Sequence, residues 1–196
     1  MHPHTFIFFG QSGAGKGTQV QLLQKYLEQK KRNVLKIETG AKFRELLTSE
    51  TLTGRQTKDR IGRGLLLPDF LAIALWGREI IEKITGKEDL ILDGLARRPH
   101  EAQMLAGGMT FYNRHKPFVI YIKVSETWCT TRLTERGRAD DTPNQIKKRL
   151  DWFNWNTVPS IAYFHENSNY NFIEINGEQS VENVHKEILE KTKLNI

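Results

Sequence analysis

The sequence of 196 residues is short of cysteine, of acidic side chains relative to basic ones, and of any long apolar run. A single thiol, Cys129, excludes an internal disulfide framework and any zinc site built from several cysteines; it reads as a small buried hydrophobe. No stretch approaches the roughly 18 apolar residues of a membrane-spanning helix. The opening segment has no basic region and only Phe6–Phe9 as an apolar run, too short for a secretory signal. The expectation is a cytoplasmic protein that does not enter a membrane. Internal repeats and Ser/Gly/Pro-rich linkers are also missing, so one continuous domain is expected.

Lysine and arginine number 29 against 23 acids, a net charge of +6 that favours anionic partners. The cations are dispersed, and the longest basic run is Lys30-Lys31-Arg32. Composition alone leaves nucleic acid, nucleotides and phosphorylated metabolites open.

Short apolar runs alternate with helical patterns. Thr5–Phe9, Asn33–Glu38, Leu90–Leu92, Phe118–Val124 and Tyr170–Ile175 read as strands. Lys16–Gln29, Pro68–Ile84, Pro143–Glu166 and Ser180–Leu194 read as helices, with Pro68 expected in a first turn. This alternation predicts an α/β fold, a three-layer sandwich around a five-stranded parallel sheet with ligands at the carboxyl ends of the strands. Thr39–Gly86 is too long for one crossover helix and reads as several helices forming a lobe beside the sheet.

Gly10-Gln11-Ser12-Gly13-Ala14-Gly15-Lys16-Gly17-Thr18 follows the first strand and opens the first helix, the setting of a phosphate-binding loop. Its glycines let backbone N–H groups approach a phosphate chain, the helix N-terminus adds a positive end, and Lys16 would reach the β and γ phosphates. The strict motif has Ser or Thr after the lysine; here Gly17 intervenes before Thr18. A glycine-rich turn without ligand is the bland alternative.

Glycine after the lysine resembles the adenylate kinase family of nucleoside monophosphate kinases. Three further motifs match that family. Thr39-Gly40-x-x-x-Arg44 follows the second strand, with Gly54, Lys58, Gly62, Gly64, Leu66 and Pro68 at the family's spacing beyond it. Asp93-Gly94-Leu95-Ala96-Arg97 ends the third strand, and Arg132, Arg136, Gly137, Arg138, the Asp140-Asp141 pair and Arg149 follow the fourth.

The resemblance implies reversible, Mg²⁺-dependent phosphoryl transfer from ATP to AMP. It divides the chain into a core, 1–38 and 87–196, a monophosphate-binding insertion, 39–86, and a minimal lid loop, 136–140. By position it assigns Gly13, Ala14, Gly15, Lys16, Gly17, Thr18, Arg132, Arg136 and Gly177 to ATP. Thr39, Gly40, Arg44, Gly94, Arg97, Glu101, Arg138 and Arg149 go to the monophosphate. Lys16, Arg136, Arg138 and Arg149 are the implied catalytic residues, and Asp93 would orient Mg²⁺ through water. Arg132 would stack on the donor adenine, and the turn Ile175-Asn176-Gly177-Glu178 would lie along it.

The sequence departs from the family at Ala41, where an Asp is usual, at Leu95-Ala96, where Phe-Pro is usual, and at Glu101, where a glutamine reads the acceptor base. A trans Leu95–Ala96 bond is expected. Gln103 lies two residues on, turned to another helix face. With so little chain between Arg136 and Arg138, the resemblance implies a near-lidless member whose pocket is sealed by the monophosphate lobe or a neighbouring subunit. Neither nucleic acid nor membrane is an expected partner. A UMP/CMP-type kinase, a nucleotide-binding regulatory protein and a basic RNA-binding module stay open as alternatives. Trp152, Phe153, Trp155, Tyr163 and Phe164 read as core packing or an oligomer contact rather than base stacking.

Overall fold

The computed structural model describes residues 2–63, 67–138 and 141–194. Gly64, Leu66 and Asp140 of the sequence motifs lie outside the described residues.

Five strands form one all-parallel sheet: β1 Thr5–Phe9, β2 Val34–Glu38, β3 Asp89–Asp93, β4 Phe118–Lys123 and β5 Asn171–Asn176, in the order β2-β3-β1-β4-β5. β1 sits at the centre, pairing Ile7 with Leu92 on one side and with Val119 on the other. Its side chains alternate between two cores, as the twofold period of a strand requires. Ile7 and Phe9 pack with Trp76, Leu105 and Phe164, whereas Phe6 and Phe8 pack with Leu23, Leu27 and Ile188. Two apolar layers on opposite faces of one sheet make the three-layer α/β sandwich that the alternation predicts.

The first face carries α1 Lys16–Gln29 and α9 Val181–Thr192. Ser180 caps α9, its hydroxyl accepting from the Asn183 N–H at 3.2 Å. The second face carries α4 Asp69–Lys83, α5 Pro99–Phe111 and α8 Val158–Glu166. Pro68 is the N-cap residue of α4, one position outside the first turn that the sequence pattern suggests. Between β2 and α4 lie α2 Thr39–Leu47 and α3 Leu52–Gly62. α6 Glu126–Arg136 and α7 Pro143–Trp152 pack through a small core of Cys129, Leu133, Ile146 and Leu150.

The pattern that suggests one helix over Pro143–Glu166 is interrupted. α7 widens into a π turn over Phe153–Thr157 before α8 begins. Pro159, at the start of α8, supplies the reason: it has no N–H to donate, and its ring would collide with the carbonyl of Trp155 in an uninterrupted α-helix. A wider turn relieves both problems. Helix α6 has no place among the helices read from the sequence, and α5 enters there only as the helical turn around Glu101 and Gln103. α5 holds Gly107-Gly108 in its interior, and its stability comes from burying Ala102, Leu105 and Met109 against the sheet.

Among the described residues no helix is long and apolar enough to cross a membrane. Cys129 is fully buried, its thiol donating to Gln11 Oε1 at 3.2 Å, and burial pushes its pKa up to about 11.

Candidate functional site

The connection from β1 to α1 wraps Gly10–Gly15 around a hollow at the carboxyl end of the sheet. Gly13 has φ near +89°, and a Cβ there would sit 2.9 Å from the Cys129 carbonyl oxygen, so only glycine lets the loop lie against α6. Gly15 forms the N-cap of α1 and leaves the first-turn N–H groups without a side-chain acceptor, the arrangement that receives an anion. Lys16 lies across the loop, Nζ donating to the Gly10 and Gln11 carbonyls at 2.7 and 3.0 Å. Burial lowers its pKa to about 8, although the nearby Asp93 carboxylate pulls the other way.

Asp93 ends β3 beside Lys16. Burial raises its pKa, opposed by the charges of Lys16 and Arg97. Three residues on, the backbone turns with Ala96 at φ near +53°, and the Ser160 hydroxyl holds the Ala96 carbonyl. The described residues contain no cis peptide, so Leu95–Ala96 is trans. Arg97 Nε donates to the Gly94 carbonyl at 3.1 Å, folding the guanidinium over the turn.

These elements surround a cavity of about 660 Å³. Gly10, Ser12 and Lys16 border it from the phosphate loop, and Thr39, Gly40 and Arg44 from α2. Gly94, Arg97 and Glu101 border it from the β3–α5 connection, and Arg138 and Arg149 from the far side. Phe43, Leu47, Leu67 and Ala72 form an apolar wall. Segments separated by more than a hundred residues thus aim cations into one hollow.

Arg44 is 59% exposed and pairs with Glu38 Oε1 at 2.8 Å, a contact weak enough to exchange for a phosphate oxygen. Arg136, Arg138 and Arg149 are organised by Asp141, whose side chain is 1% exposed. Arg136 donates to both of its oxygens at 2.9 and 2.7 Å, Arg149 Nη2 donates at 2.7 Å, and the Arg138 N–H at 3.2 Å. The Arg136 and Arg149 guanidiniums hold the Asp141 carboxyl far below the usual range. Only residues 137–142 separate α6 from α7, and Gly137 closes α6 in the left-handed conformation.

Some sequence-level candidates stand apart from the cavity wall. Arg132 lies over the Trp128 ring, 4.7 Å from its centroid. Gly177 packs against the end of β4, where a Cβ would come within 2.5 Å of Val124 Cγ1, and its N–H donates to the Lys123 carbonyl. Gly13, Ala14, Gly15, Gly17 and Thr18 form the loop and first turn behind Lys16, and Arg136 stands behind Asp141. Gln103 is exposed, away from the hollow.

Other residues reach the cavity without a motif to announce them. Trp152 borders it with Nε1 unpartnered among the described residues, and the Arg98 guanidinium sits 5.6 Å from the Trp152 ring centroid. Phe153 borders the same hollow, while Phe164 is buried in the core and Trp155 is 81% exposed. Thr157 also borders the hollow, as does Thr39, each with a buried hydroxyl lacking a partner among the described residues. A buried polar group without a partner costs stability, and these three lie in residues that border the hollow. Asp69 of α4 pairs with both Arg98 and His100, tying the helical insertion to α5.

The family model described as adenylate kinase matches residues 8–169. The chain belongs to the adenylate kinase family. A relative from a Nostoc species, called adenylate kinase 1, is 32% identical over 182 residues, covering 93% of this chain and 95% of its own length. An adenylate kinase of Prochlorococcus marinus is 31% identical over 94% of this chain and 96% of its own length. One from a Mycobacterium species is 35% identical over 81% and 84%. Adenylate kinases are ATP-dependent nucleoside monophosphate kinases, and members of the family use Mg²⁺ with ATP.

The residues beside the loop suit that ion. Among the described residues no cluster of three or more His, Cys, Asp or Glu forms a protein cage. Asp93 is one carboxylate whose oxygens accept no hydrogen bond from the described residues. A single carboxylate supplemented by water and phosphate oxygens is the ligand set that Mg²⁺ takes in nucleotide sites.

Proposed function

We propose that this chain transfers the γ-phosphoryl group of ATP to AMP, giving two ADP, with the two phosphate chains facing each other in the 660 Å³ cavity. The observation that carries the reading is the convergence of Lys16, Arg44, Arg97, Arg138 and Arg149 on one hollow. A site for one nucleotide needs no second set of cations opposite the phosphate loop. Two mutually repelling anions do.

On this reading the loop N–H groups and Lys16 hold the β and γ phosphates of ATP, with Gly13–Thr18 as their backbone cradle. Arg44 and Arg97 take the acceptor phosphate, and Thr39 and Gly40 border it. Arg138 and Arg149 neutralise the group in transit, with Arg136 held in reserve through Asp141. Mg²⁺ supplies charge neutralisation on the phosphate oxygens, and Asp93 is the residue that would hold it through water. No strong base is required, because a phosphate monoester with a second pKa near 6 is already ionised at neutral pH. Catalysis reduces to alignment and charge cancellation. The helical segment 39–86 serves as the monophosphate lobe, and the short connection 137–142 replaces a lid domain.

A coupled assay offering ATP with AMP, CMP, UMP or GMP tests this. Transfer to AMP with production of two ADP is expected. Tight ATP binding without transfer to any monophosphate would overturn the reading. A UMP/CMP-type preference is the second reading, favoured only by Glu101, an acid at the cavity wall.

A further inference from the structure

Glu101 lies in the first turn of α5 at the cavity wall, and only 4% of it is exposed. Its Oε2 accepts the Arg97 N–H at 3.2 Å, while Oε1 accepts no hydrogen bond from the described residues. One edge of a buried carboxyl is therefore left to whatever fills the hollow. A carboxylate gains nothing from facing the phosphates of a nucleotide, so its productive partner there is the base, for which Phe43, Leu47 and Ala72 provide an apolar slot.

A carboxyl offers two different faces to a base. Ionised, it only accepts; protonated, it donates through one oxygen and accepts through the other. Adenine presents a ring-nitrogen acceptor beside an amino donor, and cytosine presents the same pair. Guanine presents two adjacent donors, a ring N–H and an amino group. Resting on the assignment of the chain as a monophosphate kinase, we propose that Glu101 selects the acceptor base through its protonation state, matching AMP as the acid and GMP as the carboxylate. The preference for the acceptor then moves from AMP toward GMP as pH rises.

The surroundings of the carboxyl act on it in opposite directions. Burial is the largest influence and raises the Glu101 pKa. The Arg97 N–H opposes it, followed by the charges of Arg97, Arg98 and His100. Asp69, facing from α4, pairs with Arg98 and His100 and so weakens their pull. Arg44 of α2, Lys148 and Arg149 of α7, Arg138 and Lys16 line the same hollow and favour the ionised form. The group is thus held between opposing influences, and the arrival of a base edge decides between them.

The test is the ratio of kcat/KM for GMP to that for AMP, at saturating ATP, from about pH 5.5 to about pH 8.5. Ionisation of the acceptor phosphate is common to both substrates and cancels in the ratio. The ratio should rise by at least about tenfold across that range, the effect of one full unit of titration. Glu101→Gln keeps the side-chain shape and an acceptor for the Arg97 N–H, but always presents one donor and one acceptor. In that variant the ratio should be low and flat with pH, and in His100→Gln it should still rise. A flat ratio in the unaltered protein, or an unchanged slope in Glu101→Gln, would overturn the proposal. Failure of transfer to every monophosphate would instead sink the kinase reading, and the same ratio taken from calorimetric binding of AMP and GMP would still decide the role of Glu101.

Discussion

The two ends of the sheet treat charge in opposite ways. At the amino end, Arg114 donates to the Glu88 carbonyl at 2.8 Å and to its carboxylate at 2.6 Å, with the arginine side chain 2% exposed. Glu88 also accepts from the Thr85 N–H at 3.1 Å, and the neighbouring Asp89 accepts from Arg32 and from the His4 N–H. Each acid there has its arginine. At the carboxyl end, Lys16 donates only to loop carbonyls, Asp93 has no hydrogen-bonded partner among the described residues, and Thr39, Thr157 and Trp152 hold unpartnered polar atoms. One edge pairs its charges within the protein, leaving Arg114 Nε and Thr5 Oγ1 without partners among the described residues. The other is left for a ligand to finish, which is how a functional site differs from a structural one built of the same residue types.

That contrast can be broken from either side. Replacing Lys16 by Met should cost about a thousandfold in kcat/KM, at the upper end for loss of one electrostatic contact. The melting temperature should hold or rise, because a buried ammonium whose pKa has fallen to about 8 is a burden on the fold. Full activity in this variant would remove the phosphate loop from the mechanism. Arg114→Ala should do the reverse. It leaves Glu88 buried without its partner and should lower unfolding stability by about 3–5 kcal/mol, measured by urea titration, with kcat per folded molecule unchanged.

A smaller effect is expected for Arg138→Ala, a fall in kcat of at least about 100-fold, equivalent to about 3 kcal/mol. An unaltered kcat would refute its role at the transferring group. The mildest change needs no mutation. Phosphate binding favours the charged form of Lys16, so ATP affinity should be constant from about pH 7, where the phosphate is ionised, to about pH 8, the pKa of Lys16 in the unliganded protein. Above it, binding must take up a proton, and affinity should fall by up to about 1.4 kcal/mol per pH unit. Calorimetry in buffers of different ionisation enthalpy measures that uptake; its absence would show that Lys16 does not meet the anion.

How much of this was legible beforehand follows the distance over which each feature is determined. Gly10–Thr18 could be read because loop and helix start are contiguous, and Asp93–Arg97 because one turn contains them. The Asp141 cluster was legible as a set of residues but not as geometry, since α6 and α7 must first pack before Arg136 and Arg149 reach one carboxylate. Thr157 carried no local signal, and Trp152 showed only as one of an aromatic group. The place of Thr157 depends on the widened turn before Pro159, where the sequence pattern suggests one continuous helix. Pro159 inside that run was the one available clue.

The widened turn also limits where this chain tolerates changes in length. Dropping one residue from 153–157 would force Pro159 into a regular helical register, and every later side chain would swing by about 100° around the axis. Phe164 would leave its seat against Phe9, and the Ser160 hydroxyl would lose the Ala96 carbonyl. The turn between α6 and α7 is held as tightly: the Arg138 and Asp141 backbones bond each other and Thr142 caps α7, so a change of length there would dislodge the arginine cluster itself.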